Sequence, residues 1–257
     1  MTNTGKLAIV TGAGRTRGLG AGICRKLAEK GADVLFTYWG SYDAEMPYGE
    51  DFQGPDRLEA EIREMGRQCE GIEVDLTDVG VFEAVFAEAK ERFGRAPDIL
   101  VNNAAVSIND TIETVLAEAL DRHYEVNVRA VTLLTQQFIR HFDKKEGGRI
   151  VNITTGWSQG PMPDELSYVL TKSTSETLVY TLQSVLAKKG ITINAINPGP
   201  TDTGWMSDDV KKGLGPLFPQ GRIGLPEDAA NLVAFLTSDD AKWVTGQVIH
   251  SEGGFMN

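Results

Sequence analysis

Short apolar runs alternate along the chain with longer stretches in which apolar residues recur every three or four positions. Leu7-Ala-Ile-Val10 is uninterrupted, as a strand buried on both faces requires. Comparable runs at Ala32–Tyr38, Gln68–Leu76, Asp98–Val101, Arg149–Thr155, Ile191–Asn197 and Gly246–Ile249 complete seven predicted strands. Helical periodicity covers Ala21–Lys30, Asp56–Gly66, Val79–Phe93, Thr114–Phe142, Tyr168–Lys189 and Pro226–Ser238, and Asn127 interrupts the longest of these. Strand and helix in alternation predict one α/β domain over residues 1–257, a doubly wound, mostly parallel seven-stranded sheet with helices on both faces. Two stretches escape the pattern. Gly40 to Pro55 is polar with interspersed aromatic and acidic residues and reads as a surface loop. Gly204 to Leu225 mixes Trp205, Met206, Leu214, Leu217 and Phe218 with glycine and proline, which suits either a lid over a ligand or an oligomer contact.

The first strand runs into Thr11-Gly-Ala-Gly-Arg-Thr-Arg-Gly-Leu-Gly20, and a helix follows. A glycine turn in that setting aims free N–H groups and the positive end of a helix dipole at a pyrophosphate, with Gly12, Gly18 and Leu19 as the cradle. The second strand ends in Tyr38-Trp39-Gly40, without the acid that would bind the ribose 2′-hydroxyl of NAD; the first acid is Asp43. Arg15 and Arg17 stand in the glycine turn, where a guanidinium can pair with a 2′-phosphate. NADP(H) is therefore the expected cofactor, with NAD(H) as the alternative. Asp75, after the third strand, suits either an adenine edge or the cap of the next helix. Small residues at Asn103 and Ala104, after the fourth strand, let a cofactor lie against the backbone.

Tyr168 and Lys172 are four residues apart, and Thr155 precedes the tyrosine by thirteen. Residues four apart share a helix face, so the ammonium can sit beside the phenol. A free phenol has a pKa of about 10 and exchanges protons poorly at neutral pH, and a nearby cation favours the phenolate. With the Thr155 hydroxyl at the end of the preceding strand, the three form an acid/base site for an alcohol or ketone. The pair alone also occurs in ordinary helices, as a solvated lysine beside a half-buried tyrosine. Trp157, Met162, Trp205, Met206 and Phe218 are candidate walls for an apolar substrate portion.

The net charge of −11 argues against a nucleic-acid partner, which needs a basic surface. No apolar run approaches the roughly 20 residues that span a bilayer. The start of the chain carries no signal pattern, so a cytoplasmic location is expected. Cys24, Cys69 and the three histidines are too scattered for a metal site, and none is expected.

In order and spacing, Thr11-Gly12, Asn102-Asn103-Ala104, Asn127, Tyr168-x-x-x-Lys172 and Pro198-Gly199 resemble the short-chain dehydrogenase/reductase family over essentially the whole chain. The segments Gly221–Glu227 and Thr245–Gly254 look like its 3-oxoacyl-[acyl-carrier-protein] reductase branch. The resemblance implies a Rossmann-type fold, hydride transfer between a nicotinamide and a carbonyl carbon, and a homotetramer built on the two long helices. It makes Tyr168 the acid/base, Thr155 a hydrogen-bond donor to the substrate oxygen, and Asn127 the anchor of a water leading to Lys172. Lys172 also holds the cofactor ribose, and Asn103, Pro198, Gly199 and Thr203 pack around the nicotinamide half. Two features depart from the family. Gly12 and Gly18 enclose five residues where the family has three, and threonine stands at the catalytic serine position. A carrier-bound acyl thioester would need a basic rim that the sequence does not show, so a general small ketone or secondary alcohol is the alternative substrate. A non-catalytic NADP-binding regulator is a further alternative, against which the intact Tyr168/Lys172 pair speaks.

Overall fold

The computed structural model describes residues 2–256. Seven strands form one sheet: β1 (Leu7–Val10), β2 (Asp33–Tyr38), β3 (Cys69–Glu73), β4 (Ile99–Asn102), β5 (Gly148–Ile153), β6 (Ile191–Asn197) and β7 (Val248–His250). Their order is β3-β2-β1-β4-β5-β6-β7. Every pairing is parallel, so the sheet is wholly rather than mostly parallel. β1, β4, β5 and β6 are buried along their whole length, which explains their uninterrupted apolar runs. Asn102 on β4 donates to the Asn152 side chain on β5 at 2.9 Å, a pairing inside the sheet.

Helices α1 (Leu19–Glu29), α3 (Gly54–Glu64) and α9 (Pro226–Thr237) cover one face; α4 (Val81–Phe93), α6 (Val131–His141) and α7 (Leu166–Ala187) cover the other. Two separate apolar clusters result, one on each side of the sheet. Each fully buried Leu, Ile or Phe in them contributes about 1.5–3 kcal/mol relative to exposure.

Three stretches differ from the sequence reading. The 114–142 region is α5 (Ala117–His123), a π-helical segment at Tyr124–Ala130 and then α6, so the interruption at Asn127 is a widened turn within continuous helix. The supposed surface loop 40–55 begins with a short helix, α2 (Gly40–Glu45), and folds inward. The irregular 204–225 stretch contains another, α8 (Asp208–Leu214), capped by the Ser207 hydroxyl.

The strand order reverses between β1 and β4. Loops leaving the carboxyl ends of the two strands diverge there to opposite faces, and a crevice opens between them.

Candidate active site

A cavity of about 1220 Å³ occupies this crevice and runs from the β1–α1 turn to the segment after β5 and to Phe255. It exceeds the roughly 300–1,000 Å³ of a pocket for one small ligand, leaving room for a dinucleotide and a second molecule.

Its floor is the glycine turn. Gly12 has φ +72°, and a Cβ there would lie 2.7 Å from the Ala104 backbone. Ala104 cannot retreat, because its N–H and that of Asn103 both donate to the Thr11 hydroxyl at 3.0 Å. The Asn103 amide donates to the carbonyls of Thr11 and Gly12 at 2.8 and 2.9 Å, tying β1 to β4. A Cβ on Gly20 would meet the Gly12 carbonyl at 2.4 Å. The turn can approach its neighbours this closely only with glycine. No side chain caps the start of α1 and no acid stands in its first turn, so its amide end is left for an anion. Gly12, Gly18, Leu19, Asn103, Ala104, Pro198, Gly199 and Thr203 all line the cavity. These residues fit a dinucleotide pyrophosphate.

The two arginines of the turn part company. Arg15 lines the cavity, lies 3.7 Å over the Tyr48 ring, and donates to the Thr203 carbonyl at 3.2 Å. Its guanidinium is also 3.8 Å from Asp43. Burial pushes the Asp43 carboxyl above its usual range, with the Arg15 charge opposing. Arg17 points outward, 71% exposed and 3.8 Å from Asp202, and does not line the cavity. Asp75 is likewise outside; it accepts from the Thr77 N–H at 2.8 Å, a local turn at the approach to α4.

At the other end, Tyr168 lies in the first turn of α7 and Lys172 one turn on; both line the cavity with Thr155. The start of α7 is set by Asp110, whose carboxylate accepts from the Ser167 N–H at 2.8 Å and from the Ser167 hydroxyl. A carboxylate suits a helix N-terminus, and it fixes the turn that carries Tyr168. Asn127 does not reach the cavity. Its amide group is committed to both backbone groups of Val106 at 2.9 Å and to Thr171 at 3.1 Å, so it braces α7 against the segment after β4.

The expected depression of the tyrosine pKa is absent in this state. Burial pushes the Tyr168 hydroxyl up, the Glu165 and Tyr42 charges add to that, and a hydrogen bond with Thr155 offsets part of it. Lys172 is turned away and donates to the Ile153 carbonyl, and burial lowers its pKa to about 8. The tyrosine is thus a neutral phenol at pH 7, and the lysine a cation that loses its charge close above that pH.

Of the proposed apolar walls, Met162 and Trp205 line the cavity, while Trp157, Met206 and Phe218 do not. The Trp157 indole is drawn off by a 3.0 Å hydrogen bond to the buried Glu176. Met206 and Phe218 are buried beneath the surface, and Phe218 packs against Phe255, which does line the cavity. Several lining residues were not foreseen: Tyr42, Asp43 and Tyr48 from the inward-folded loop, Arg122 from α5, and Glu165. Arg122 pairs with Glu45 at 2.7 Å, and the Tyr42 hydroxyl accepts from the Ser107 N–H at 3.2 Å, so the 40–48 segment straps the crevice from β2 to the segment after β4. The aromatic residues in an otherwise polar stretch were the one available sign.

A parallel doubly wound sheet, a glycine turn at its switch point and a Tyr/Lys/Thr cluster beside it define a nucleotide-dependent oxidoreductase. Comparison with known proteins agrees. The family model described as enoyl-(acyl carrier protein) reductase matches residues 12–256. An uncharacterized oxidoreductase of Bacillus subtilis, YjdA, is 45% identical over 253 residues, covering 98% of this chain and 97% of its own. The short-chain dehydrogenase/reductase of Serratia marcescens has the same fold, with TM-score 0.88, 31% identity and both chains fully covered. The landomycin C-6 ketoreductase LanV, solved with NADP and rabelomycin, follows with TM-score 0.82 and 33% identity over 98% of this chain and 96% of that one. The chain belongs to the short-chain dehydrogenase/reductase family. No described helix is long and apolar enough to cross a membrane.

Proposed function

We propose that this enzyme reduces a small ketone to a secondary alcohol at the expense of NADPH. The observation that carries the reading is the convergence of Tyr168, Thr155 and Lys172 on the cavity that also holds the glycine turn. The nicotinamide, when bound, supplies the hydride and, once oxidised, a positive charge. Tyr168 donates its phenolic proton to the carbonyl oxygen as that oxygen becomes an alkoxide. Thr155 holds the same oxygen by a hydrogen bond from its hydroxyl. The Lys172 ammonium favours the phenolate left behind. Asn103, Pro198, Gly199 and Thr203 line the nicotinamide half of the groove, and the amide end of α1 receives the pyrophosphate.

Arg15 supports NADP(H) over NAD(H). It is the arginine of the glycine turn that faces the cavity, and its contact with Asp43 is a long one, 3.8 Å. NADPH is therefore expected to bind more tightly than NADH by about 10- to 100-fold, the worth of one charge-assisted hydrogen bond. Arg15→Ala is expected to erase that preference and Arg17→Ala to leave it, as read by titration of each cofactor. Preference for NADH, unaffected by Arg15→Ala, overturns the cofactor assignment.

The 3-oxoacyl-[acyl-carrier-protein] reductase-like reading has support in the description of the matching family model. The walls speak against a carrier-bound thioester, because besides Arg15, assigned to the cofactor phosphate, the lining cations are Arg122, paired with Glu45, and the buried Lys172. A non-catalytic regulator would bind NADPH without consuming it in the presence of a ketone. A homotetramer is proposed through α5 and α7, whose exposed Leu120, Leu170, Tyr180 and Val185 leave apolar surface uncovered; light scattering is expected to give four times the 27.9 kDa chain mass, and a monomer mass contradicts it.

A further inference from the structure

Glu165 lies three residues before Tyr168, at the boundary of α7, and lines the cavity. Its backbone is held, the N–H donating to the Met162 carbonyl at 3.2 Å. Its carboxylate makes no hydrogen bond or ion pair among the described residues, and its one charged neighbour is Asp164, another acid. Burial pushes the carboxyl above its usual range. Three residues apart at the start of one helix and lining one cavity, Glu165 and Tyr168 present their side chains to the same space, where a substrate oxygen would sit.

The cations along the cavity do not answer it. Arg15 is engaged by Asp43, Tyr48 and the Thr203 carbonyl. Arg122 is engaged by Glu45 and lies 5.6 Å over the Tyr42 ring. Lys172 is turned to the Ile153 carbonyl. On the far wall a second acid, Glu252, is buried and already satisfied by Asn197 at 2.7 Å and Gln159 at 2.6 Å. The Glu165 carboxylate therefore faces the cavity with its oxygens open to a donor that a ligand supplies.

We propose that Glu165 is a specificity-determining residue that accepts a hydrogen bond from a donor group adjacent to the substrate carbonyl. The preferred substrates are then hydroxy ketones, and carbonyl compounds bearing a carboxylate or phosphate at that position are turned away. This rests on the carbonyl-reductase reading above and narrows its substrate class.

Hydroxyacetone and 2-butanone test it, being nearly equal in size and differing in the hydroxyl; pyruvate places a carboxylate there instead. The wild type is expected to favour hydroxyacetone over 2-butanone in kcat/KM by about 10- to 100-fold, as one hydrogen bond to a charged group allows, and to use pyruvate least. In Glu165→Leu the hydroxyacetone to 2-butanone ratio is expected to fall to near one, whatever happens to the absolute rates. Glu165→Gln keeps an acceptor but no charge, so the ratio should lie between those of the wild type and the leucine variant, with pyruvate gaining. Equal use of the two ketones by the wild type, or an unchanged ratio in both variants, overturns the proposal while leaving ketone reduction intact. Turnover of neither ketone with NADPH or NADH overturns the underlying reading and this one with it.

Discussion

Replacing Tyr168 with phenylalanine is expected to lower kcat by about 10²- to 10⁴-fold, the usual contribution of a positioned proton donor. The change removes one oxygen and keeps the ring, so α7 and its anchor at Asp110 should survive and the melting temperature should barely move. Cofactor affinity should change little, which separates lost proton transfer from lost binding. The pH dependence follows from the two groups. Tyr168 is held above its usual range by burial and the Glu165 charge, so it remains a proton donor at neutral pH. Lys172, lowered by burial to about 8, is cationic below that pH and neutral above it. Reduction by the wild type is thus expected to hold on the acid side of neutrality and to decline as pH rises through about 8 with loss of the lysine charge. A Tyr168→Phe enzyme that retained most of its turnover, with the wild-type pH profile, would contradict the assignment.

Gly12→Ala should have the next largest effect, on both stability and cofactor binding. At φ +72° an alanine is strained, and its Cβ would sit 2.7 Å from the Ala104 backbone. Strain of that kind costs about 1–2 kcal/mol. Gly5 gives the control: its φ is +78° and nothing lies within 4 Å of a Cβ built there. Gly5→Ala should therefore show the strain alone, and Gly12→Ala the strain plus the clash. We expect the melting temperature of Gly12→Ala to fall by roughly 5–10 °C, clearly more than that of Gly5→Ala. NADPH should no longer raise it, because the β1–α1 turn must shift away from Ala104. Equal losses in the two variants would mean that the turn accommodates a side chain, and that its close approach to β4 is incidental.

The centre of the sheet was legible in the sequence because β1, β4, β5 and β6 are buried along their whole length, and apolar runs such as Leu7–Val10 carry that information locally. The glycine turn and the Tyr168/Lys172 spacing were legible for the same reason, each being a short-range pattern. Other features depend on contacts between distant segments. Arg15 and Arg17 are equivalent in sequence, yet one faces Tyr48 and Asp43 and the other Asp202. Trp157 follows the catalytic strand closely but is captured by Glu176, nineteen residues downstream. The 40–55 segment is too polar and aperiodic to mark itself as a wall, and its pairing with Arg122, Ser107 and Arg15 folds it over the crevice. Glu165 carried no signal at all, since an acid before a helix is ordinarily a solvated cap. The direction of the Lys172 ammonium, turned here to the Ile153 carbonyl, was not legible either, because spacing puts two residues on one face but does not say where a long side chain points.

The most direct measurement is isotope transfer. The enzyme is given NADPH carrying deuterium at the transferable position of the nicotinamide, together with hydroxyacetone or 2-butanone, and the alcohol formed is analysed by mass spectrometry. The account predicts an alcohol with a single deuterium on the carbinol carbon from the wild type, and almost none formed by Tyr168→Phe. An alcohol without the label, or no alcohol from any ketone while NADPH remains bound and intact, would contradict it.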